Sequence, residues 1–171
     1  MKTINYTMTA DYRSNWNAID AIREIVQNCL DNRHNKSTYE LSDDGHVSIK
    51  TENFILPLRT LALGESEKPD GAIGGFGEGL KLALMILKRE GCNVKVVTGD
   101  KLIVPTFEMN DAVGLETFCI KVFEDRDFFD GLRFDFEINE GYIDELKEKV
   151  NVFNNDVLPL PNTGTVDIIE H

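Results

Sequence analysis

The sequence has few cysteines and no long apolar run, and each shortage excludes a class of protein. Its three cysteines are odd in number and lie in apolar or β-like surroundings. This pattern is typical of reduced core thiols and not of a disulfide framework or a zinc site. No apolar stretch reaches the roughly 20 residues that cross a bilayer, and residues 1–7 are too polar for a signal peptide. We therefore expect a cytoplasmic protein without a membrane segment.

Basic residues are also scarce. The chain has 18 Lys and Arg against 30 Asp and Glu, a formal net charge of −12. Such a field repels nucleic-acid backbones, and no local basic patch offsets it, so direct nucleic-acid binding is not expected. The acidic surface is explained by solubility, or alternatively by mimicry of DNA toward a DNA-binding protein partner.

The order of predicted elements indicates the fold class. The 171 residues are most simply one domain, 1–171. Helices are predicted at about 15–32, from the glycine-rich stretch to about Glu90 with Gly91 as cap, and at 142–152. Strands are predicted at 39–41, 46–50, 93–98, 101–104, 116–123, 132–138 and 165–169. Early helices and later hairpin-like strands favour an α+β fold, a two-layer α/β sandwich with a mixed, mostly antiparallel sheet and helices on one face.

The densest local signal is a run of glycines before a helix. Five of the thirteen glycines fall within Gly71-Ala-Ile-Gly-Gly-Phe-Gly-Glu-Gly79, and a helix-forming apolar run starts directly after them. Glycine lets the backbone approach a ligand closely, and a helix N-terminus adds unpaired N–H groups and partial positive charge. The combination predicts a phosphate-binding segment.

The first predicted helix carries a polar stripe opposite its apolar face. Glu24, Asn28 and Asp31 follow one another at helical spacing, as on any surface helix. Together with the glycine segment, however, they match the needs of a nucleoside triphosphate and its metal. Glu24 is a candidate base, Asn28 a candidate Mg²⁺ ligand, and residues 74–79 candidate phosphate donors. Neither a P-loop nor a dinucleotide-binding glycine pattern is present.

These residues resemble a known superfamily. Ile22-Arg-Glu-Ile-Val-Gln-Asn-Cys-Leu-Asp31, Leu63-Gly-Glu-Ser-Glu-Lys68 and Ile73-Gly-Gly-Phe-Gly-Glu-Gly-Leu-Lys81 are similar to the asparagine box, the start of the ATP lid and the second glycine box of the GHKL proteins. These comprise DNA gyrase B, the ninety-kilodalton heat-shock chaperone, histidine kinases and MutL, which share the Bergerat ATP-binding fold. The similarity covers residues 18–136, and the wording is closest to small stand-alone ATP-binding proteins of bacteria and phages.

The resemblance implies that the chain binds Mg²⁺ and ATP and hydrolyses ATP slowly. Glu24 would activate water, because a carboxylate at this position is typical of the gyrase, chaperone and MutL branches. Histidine kinases usually carry asparagine there. Asn28 would hold the metal. Asp31 would support the side chain of Asn28 or contact the base side. Phe76 would pack beneath the loop or stack on the base. The nucleotide-contacting residues implied are Asn28, Asp31, Glu52, Asn53, Ser66, Lys68, Gly74, Gly75, Phe76, Gly77, Gly79, Leu80 and Lys81.

The sequence departs from the family pattern where the base is read. The Asp-x-Gly-x-Gly box is replaced by Lys50-Thr-Glu-Asn-Phe-Ile55, so Glu52 or Asn53 would take the place of its aspartate. The Gly-Thr that follows corresponds to Gly131-Leu132 or Gly164-Thr165. In gyrase B and MutL a later domain supplies a lysine to the γ-phosphate; we expect no such domain in this chain, which predicts slow turnover. Lys68 or Lys81 would substitute in part, and Lys81 is alternatively a surface lysine.

Two other functions remain open at this point. The chain is alternatively a nucleotide-dependent interaction module with little or no catalysis, for instance a phage protein that acts on a host partner. It is otherwise an acidic decoy for DNA-binding proteins. The sequence does not identify the partner or the oligomeric state.

Overall fold

The computed structural model describes residues 1–12, 15–31, 35–62, 78–124, 127–153, 157–159 and 165–168. The helices are α1 (Ala18–Asp31), α2 (Arg59–Ala62), α3 (Glu78–Arg89) and α4 (Ile143–Phe153), with a 3₁₀ turn at Glu140–Tyr142. The strands are β1 (Lys2–Asn5), β2 (Ser37–Leu41), β3 (His46–Glu52), β4 (Lys95–Gly99), β5 (Lys101–Asn110), β6 (Leu115–Phe123), β7 (Phe129–Glu137), β8 (Val157–Pro159) and β9 (Thr165–Ile168).

The described strands form one sheet in the order β1-β6-β5-β4-β7-β3-β2-β9-β8. Every pairing between them is antiparallel. The predicted α+β class and its two-layer sandwich are therefore confirmed, and the sheet is more uniformly antiparallel than a mixed sheet would be. Among the described residues, no helix is both long and apolar enough to cross a bilayer.

The sheet turns one apolar face toward the helices. On β3, Val47, Ile49 and Thr51 are buried, while the residues between them are only half-buried. These three lie opposite Phe136, Phe134 and Leu132 of β7, which are also buried. Because side chains alternate across a strand, odd-numbered residues of β3 face the helical layer and even-numbered ones face away. Only the odd-numbered residues of β3 can therefore contact the helices.

The two long central helices have clear end signals. Asn17 Oδ1 accepts hydrogen bonds from the backbone N–H groups of Ile19 and Asp20, and Asp20 Oδ2 accepts from the N–H of Asn17. This reciprocal cap starts α1 at Ala18, three residues later than predicted. At the end of α3, Gly91 has φ 83°, and Cys92 N–H donates to Leu87 O at 2.9 Å. The predicted glycine cap of α3 is confirmed.

Some elements differ from the sequence prediction. Strands β1 and β8 and helix α2 were not predicted, because all three are short. Strand β1 is stabilised by its pairing with β6. Strand β5 continues to Asn110 instead of ending at Val104. It includes Pro105. Proline has no backbone N–H, so a strand tolerates it where the neighbouring strand needs no donor.

Candidate functional site

Helices α1 and α3 pack side by side and bring Glu24 against Gly79. A Cβ built on Gly79 would lie 2.8 Å from Glu24 Cδ and 3.3 Å from Glu24 Cγ, and it would overlap Oε1. The carboxylate therefore occupies the space that any side chain at Gly79 would need. Two positions that are 55 residues apart in sequence thus form one small contact, at the first turn of α3.

Asn28 lies one helical turn beyond Glu24 on α1. Its side chain is only 3% exposed, and its Nδ2 donates to Glu24 Oε1 at 3.4 Å. The bond is long and therefore weak, and its main effect is to orient the two side chains. A carboxylate and an amide thus stand next to each other, and both can supply oxygen ligands to a hard cation such as Mg²⁺.

The first turn of α3 lies next to Glu24 and is the third part of the candidate site. The helix begins at Glu78, so Gly79 is its second residue, and the first N–H groups of a helix have no intrahelical partner. They carry partial positive charge, which favours an anion nearby. Glu24, Asn28 and Gly79 are the predicted site residues that the structure brings together.

Lys81 lies elsewhere on α3. It follows Gly79 by two residues, which is about 200° around the helix axis, so it points to the opposite side. Its side chain is 4% exposed, and its Nζ lies 5.7 Å from the centre of the Tyr6 ring. The alternative of a surface lysine is therefore wrong, and a phosphate contact by Lys81 stays a prediction. Leu80 is fully buried in the core.

Asp31 is exposed at the last position of α1. Its Oδ1 accepts a hydrogen bond from Gln27 Nε2 at 3.2 Å. The structure thus pairs Asp31 with a surface glutamine one turn earlier, and not with Asn28. A supporting or base-side role for Asp31 stays a prediction.

The two predicted base-reading residues do not face the helical layer. Glu52 is an even-numbered residue of β3 and points away from α1, by the alternation described above. Asn53 is exposed and has φ 57°, the left-handed conformation that asparagine tolerates better than most residues. Asn35 Nδ2 donates to the carbonyls of Glu52 and Asn53 at 2.9 and 3.0 Å. In the structure, Glu52 and Asn53 therefore belong to a backbone turn that is stabilised by the hydrogen bonds from Asn35.

The residue at this place that does face α1 is Thr51, which the sequence analysis missed. Thr51 Oγ1 lies 2.8 Å from Ser37 Oγ of β2, and both hydroxyls are buried and hydrogen-bonded to Cys29 of α1. Burial raises the pKa of the Cys29 thiol to about 11, although these hydrogen bonds act in the opposite direction. Cys29 is thus a protonated structural thiol. The sequence signal that indicates Thr51 is the alternation of the apolar residues Val47 and Ile49, because Thr51 lies two residues further along the same face of β3.

The remaining predicted contacts cannot be placed. Ser66, Lys68, Gly74, Gly75, Phe76 and Gly77 lie outside the described residues. Within the described ranges, no group of three or more His, Cys, Asp or Glu side chains is arranged to hold a metal ion. Mg²⁺ commonly keeps several waters and binds phosphate oxygens, and it takes few ligands from the protein.

No protein-family model matches the chain, and no curated protein is significantly similar to it. The function is therefore inferred from the geometry and chemistry of the site.

Proposed function

We propose that the chain binds Mg²⁺ and ATP at the junction of α1 and α3 and hydrolyses ATP slowly to ADP and phosphate. The observation that carries the proposal is the contact of the Glu24 carboxylate with Gly79, with Asn28 beside it. This contact supports a site that joins a candidate base, a candidate metal ligand and a helix N-terminus. The glycines that precede Gly79 in sequence lead directly into that helix. The three cysteines are free and buried, which supports a reducing, cytoplasmic location.

In this proposal each group has a separate role. The Glu24 carboxylate accepts a proton from the water that attacks the γ-phosphate. The Asn28 side-chain oxygen would hold the magnesium ion, which would supply positive charge to neutralise the phosphates. The unpaired N–H groups of the first turn of α3 bind phosphate oxygens. Gly79 leaves room for the carboxylate at this turn.

The proposal is tested with Glu24→Ala. This variant should bind ATP about as tightly as the wild-type chain and lose turnover, because only the base is removed. Affinity is measured by calorimetry with a non-hydrolysable ATP analogue, and turnover by phosphate release with and without Mg²⁺. Glu148→Ala is the matched control, since it removes an exposed helical glutamate of α4. Turnover that survives Glu24→Ala would show that the assignment of the base is wrong.

A second candidate is an interaction module that uses ATP as a ligand and not as a substrate. One observation favours it: the turn between β5 and β6 carries exposed apolar side chains, with Met109 60%, Val113 50% and Leu115 55% exposed. A contiguous group of exposed apolar side chains is a surface suited to contact with another protein. Tight ATP binding without any phosphate release by the wild-type chain would favour this second function.

A further inference from the structure

The hairpin of β5 and β6 extends beyond one of its neighbours in the sheet. Strand β4 pairs only with residues 101–103 of β5, whereas β5 continues to Asn110. In the described part of the chain, residues 104–110 of β5 therefore have a paired strand on one side only, namely β6. We call the other side of these residues the open edge. Such an edge offers backbone N–H and C=O groups to a further strand.

The turn between β4 and β5 indicates which backbone groups face the open edge. Thr98 and Lys101 flank this two-residue turn, so they form a hydrogen-bonded pair across it. The direction of the backbone groups repeats every two residues along a strand, so Pro105, Phe107 and Met109 are turned to the same side as Lys101. Pro105 brings no N–H to that side, and proline on an edge hinders pairing. The open edge therefore has its donors at Phe107 and Met109.

The end of the hairpin is a well-defined turn. The carbonyl of Asn110 accepts hydrogen bonds from the N–H groups of Val113 at 3.2 Å and Gly114 at 2.8 Å. Its side-chain Oδ1 accepts from the N–H of Ala112 at 3.0 Å. Gly114 has φ 70°, a conformation that glycine adopts without strain. A turn that is ordered in advance loses little entropy when a partner binds beside it.

The hairpin end carries apolar side chains on both of its faces. Of the eight large apolar side chains that are exposed among the described residues, three lie here, namely Met109, Val113 and Leu115. Met109 lies opposite Glu116, and Leu115 lies opposite Asn110. Because directly opposite residues share a face and successive residues alternate, Met109 and Leu115 lie on opposite faces. A strand added to the open edge would also place its side chains alternately on these two faces.

The charge of the hairpin is of one sign. Residues 102–120 include Glu108, Asp111 and Glu116 and no Lys or Arg. Glu108 pairs with Lys121, and Asp111 and Glu116 are exposed. This end of the molecule therefore repels nucleic acid, anionic lipid and the same end of a second copy, in line with the net charge of −12. It attracts a basic partner.

We propose that the open edge of β5 binds an extended segment of another protein as an additional strand, and that this segment combines apolar residues with Lys or Arg. The N–H and C=O groups of Phe107 and Met109 bind its backbone, the mode known as strand addition. Its apolar side chains pack on Met109. Its cations reach Glu116, which lies two strands away at about 10 Å, within the length of an extended Lys or Arg. The inference does not rest on ATP binding or hydrolysis.

The test begins without an assumed partner. A random peptide library displayed on phage is selected against the full chain without nucleotide, and the most enriched peptide is synthesised. Its affinity is measured by calorimetry, and its contacts are mapped by NMR chemical shifts. Met109→Pro removes one N–H from the open edge, and Met109→Ala is its control because it keeps that N–H. Glu116→Lys reverses a charge at the hairpin, and Glu148→Lys does the same at an exposed position of α4.

The enriched peptides should contain Lys or Arg with apolar residues and lack Asp and Glu, and they should shift the signals of residues 107–116. Met109→Pro should bind about fivefold more weakly than Met109→Ala, the factor that corresponds to one hydrogen bond. Glu116→Lys should weaken binding by about threefold or more at low salt, and Glu148→Lys should not. Urea unfolding checks that each variant is folded; if Met109→Pro is not, Glu116→Lys decides.

The proposal is overturned if no peptide is enriched, or if the enriched peptides bind Met109→Pro and Glu116→Lys as tightly as the wild-type chain. It is also overturned if the hairpin instead binds vesicles of phosphatidylserine and phosphatidylcholine, or if it joins two copies of the chain in sedimentation experiments. A chain that binds no ATP but binds these peptides at the open edge would refute the proposed function and support this inference.

Discussion

Replacing Gly79 by alanine tests the central contact of the site most directly. The added Cβ would lie 2.8 Å from Glu24 Cδ, whereas ordinary contacts are 3.4–4 Å. The carboxylate must therefore withdraw by about 1 Å, which would hold a Glu24 χ angle away from its rotamer minimum at a cost of about 0.5–1.5 kcal/mol. Alanine is favoured over glycine within a helix by about 1 kcal/mol. The two effects oppose each other, so the free energy of unfolding should change by less than about 1 kcal/mol.

Turnover should respond far more than stability. A displacement of about 1 Å in a catalytic group is enough to reduce a rate by about 100-fold. The affinity for ATP should change by no more than about threefold, since the phosphates would be bound by backbone groups that the alanine leaves in place. Stability is measured by urea unfolding, turnover by phosphate release and affinity by calorimetry.

A double-mutant cycle isolates the cause. If Gly79→Ala acts by moving Glu24, it should have no further effect on turnover once Glu24→Ala is present. Gly141→Ala is the control, because a Cβ there would meet only Asn139 Oδ1 at an ordinary 3.5 Å. Turnover of Gly79→Ala within about twofold of the wild-type rate would refute the reasoning, since the contact would then have no bearing on the reaction.

Four further predictions concern the scaffold. Gly131→Ala should lower the free energy of unfolding by about 1–3 kcal/mol in urea, because its Cβ would lie 3.0 Å from the Phe129 ring and closer still to a backbone carbonyl, whereas Gly141→Ala should not. Arg89→Ala should cost about 2 kcal/mol in the same assay by removing its hydrogen bonds to backbone carbonyls, and Arg89→Lys, which lacks the planar fork, should restore less than half of that loss. The native chain should resist thiol reagents at pH 8 and react only when unfolded, since burial raises the pKa of each cysteine, namely Cys29, Cys92 and Cys119. For Cys29, whose folded pKa is about 11 against 9.0 for a free thiol, the associated stability should be complete below pH 9 and decline as the pH rises toward 11, which thermal unfolding at increasing pH would measure.

The general fold could be predicted from periodicity because the main elements are strongly patterned. The alternation at 132–138 and the apolar face of residues 19–29 describe β7 and α1 within a few residues. Strand β1 and helix α2 were missed because their sequences have little intrinsic preference. Their structure is supplied by tertiary contacts, such as the pairing of Lys2 with Val122.

The candidate site could be predicted only in part. The spacing of Glu24 and Asn28 places them on one face of a helix, but the contact of Glu24 with Gly79 depends on how α1 and α3 pack, which no local pattern contains. The orientation of Glu52, whose role in reading the base stays a prediction, has a simpler cause. A shift of one residue along a strand exchanges its two faces, and the buried residue proved to be Thr51.

The burial of all three cysteines has a practical consequence for spectroscopy. A cysteine introduced at an exposed position, such as Met109 at the hairpin tip or Asp11 in the N-terminal segment, would be the fast-reacting site for a maleimide fluorophore. The native residues could stay in place during such labelling, so the packing of α1 against the sheet would not need to be altered. Pairs of dyes attached in this way could follow movements of the chain in real time as nucleotide is added.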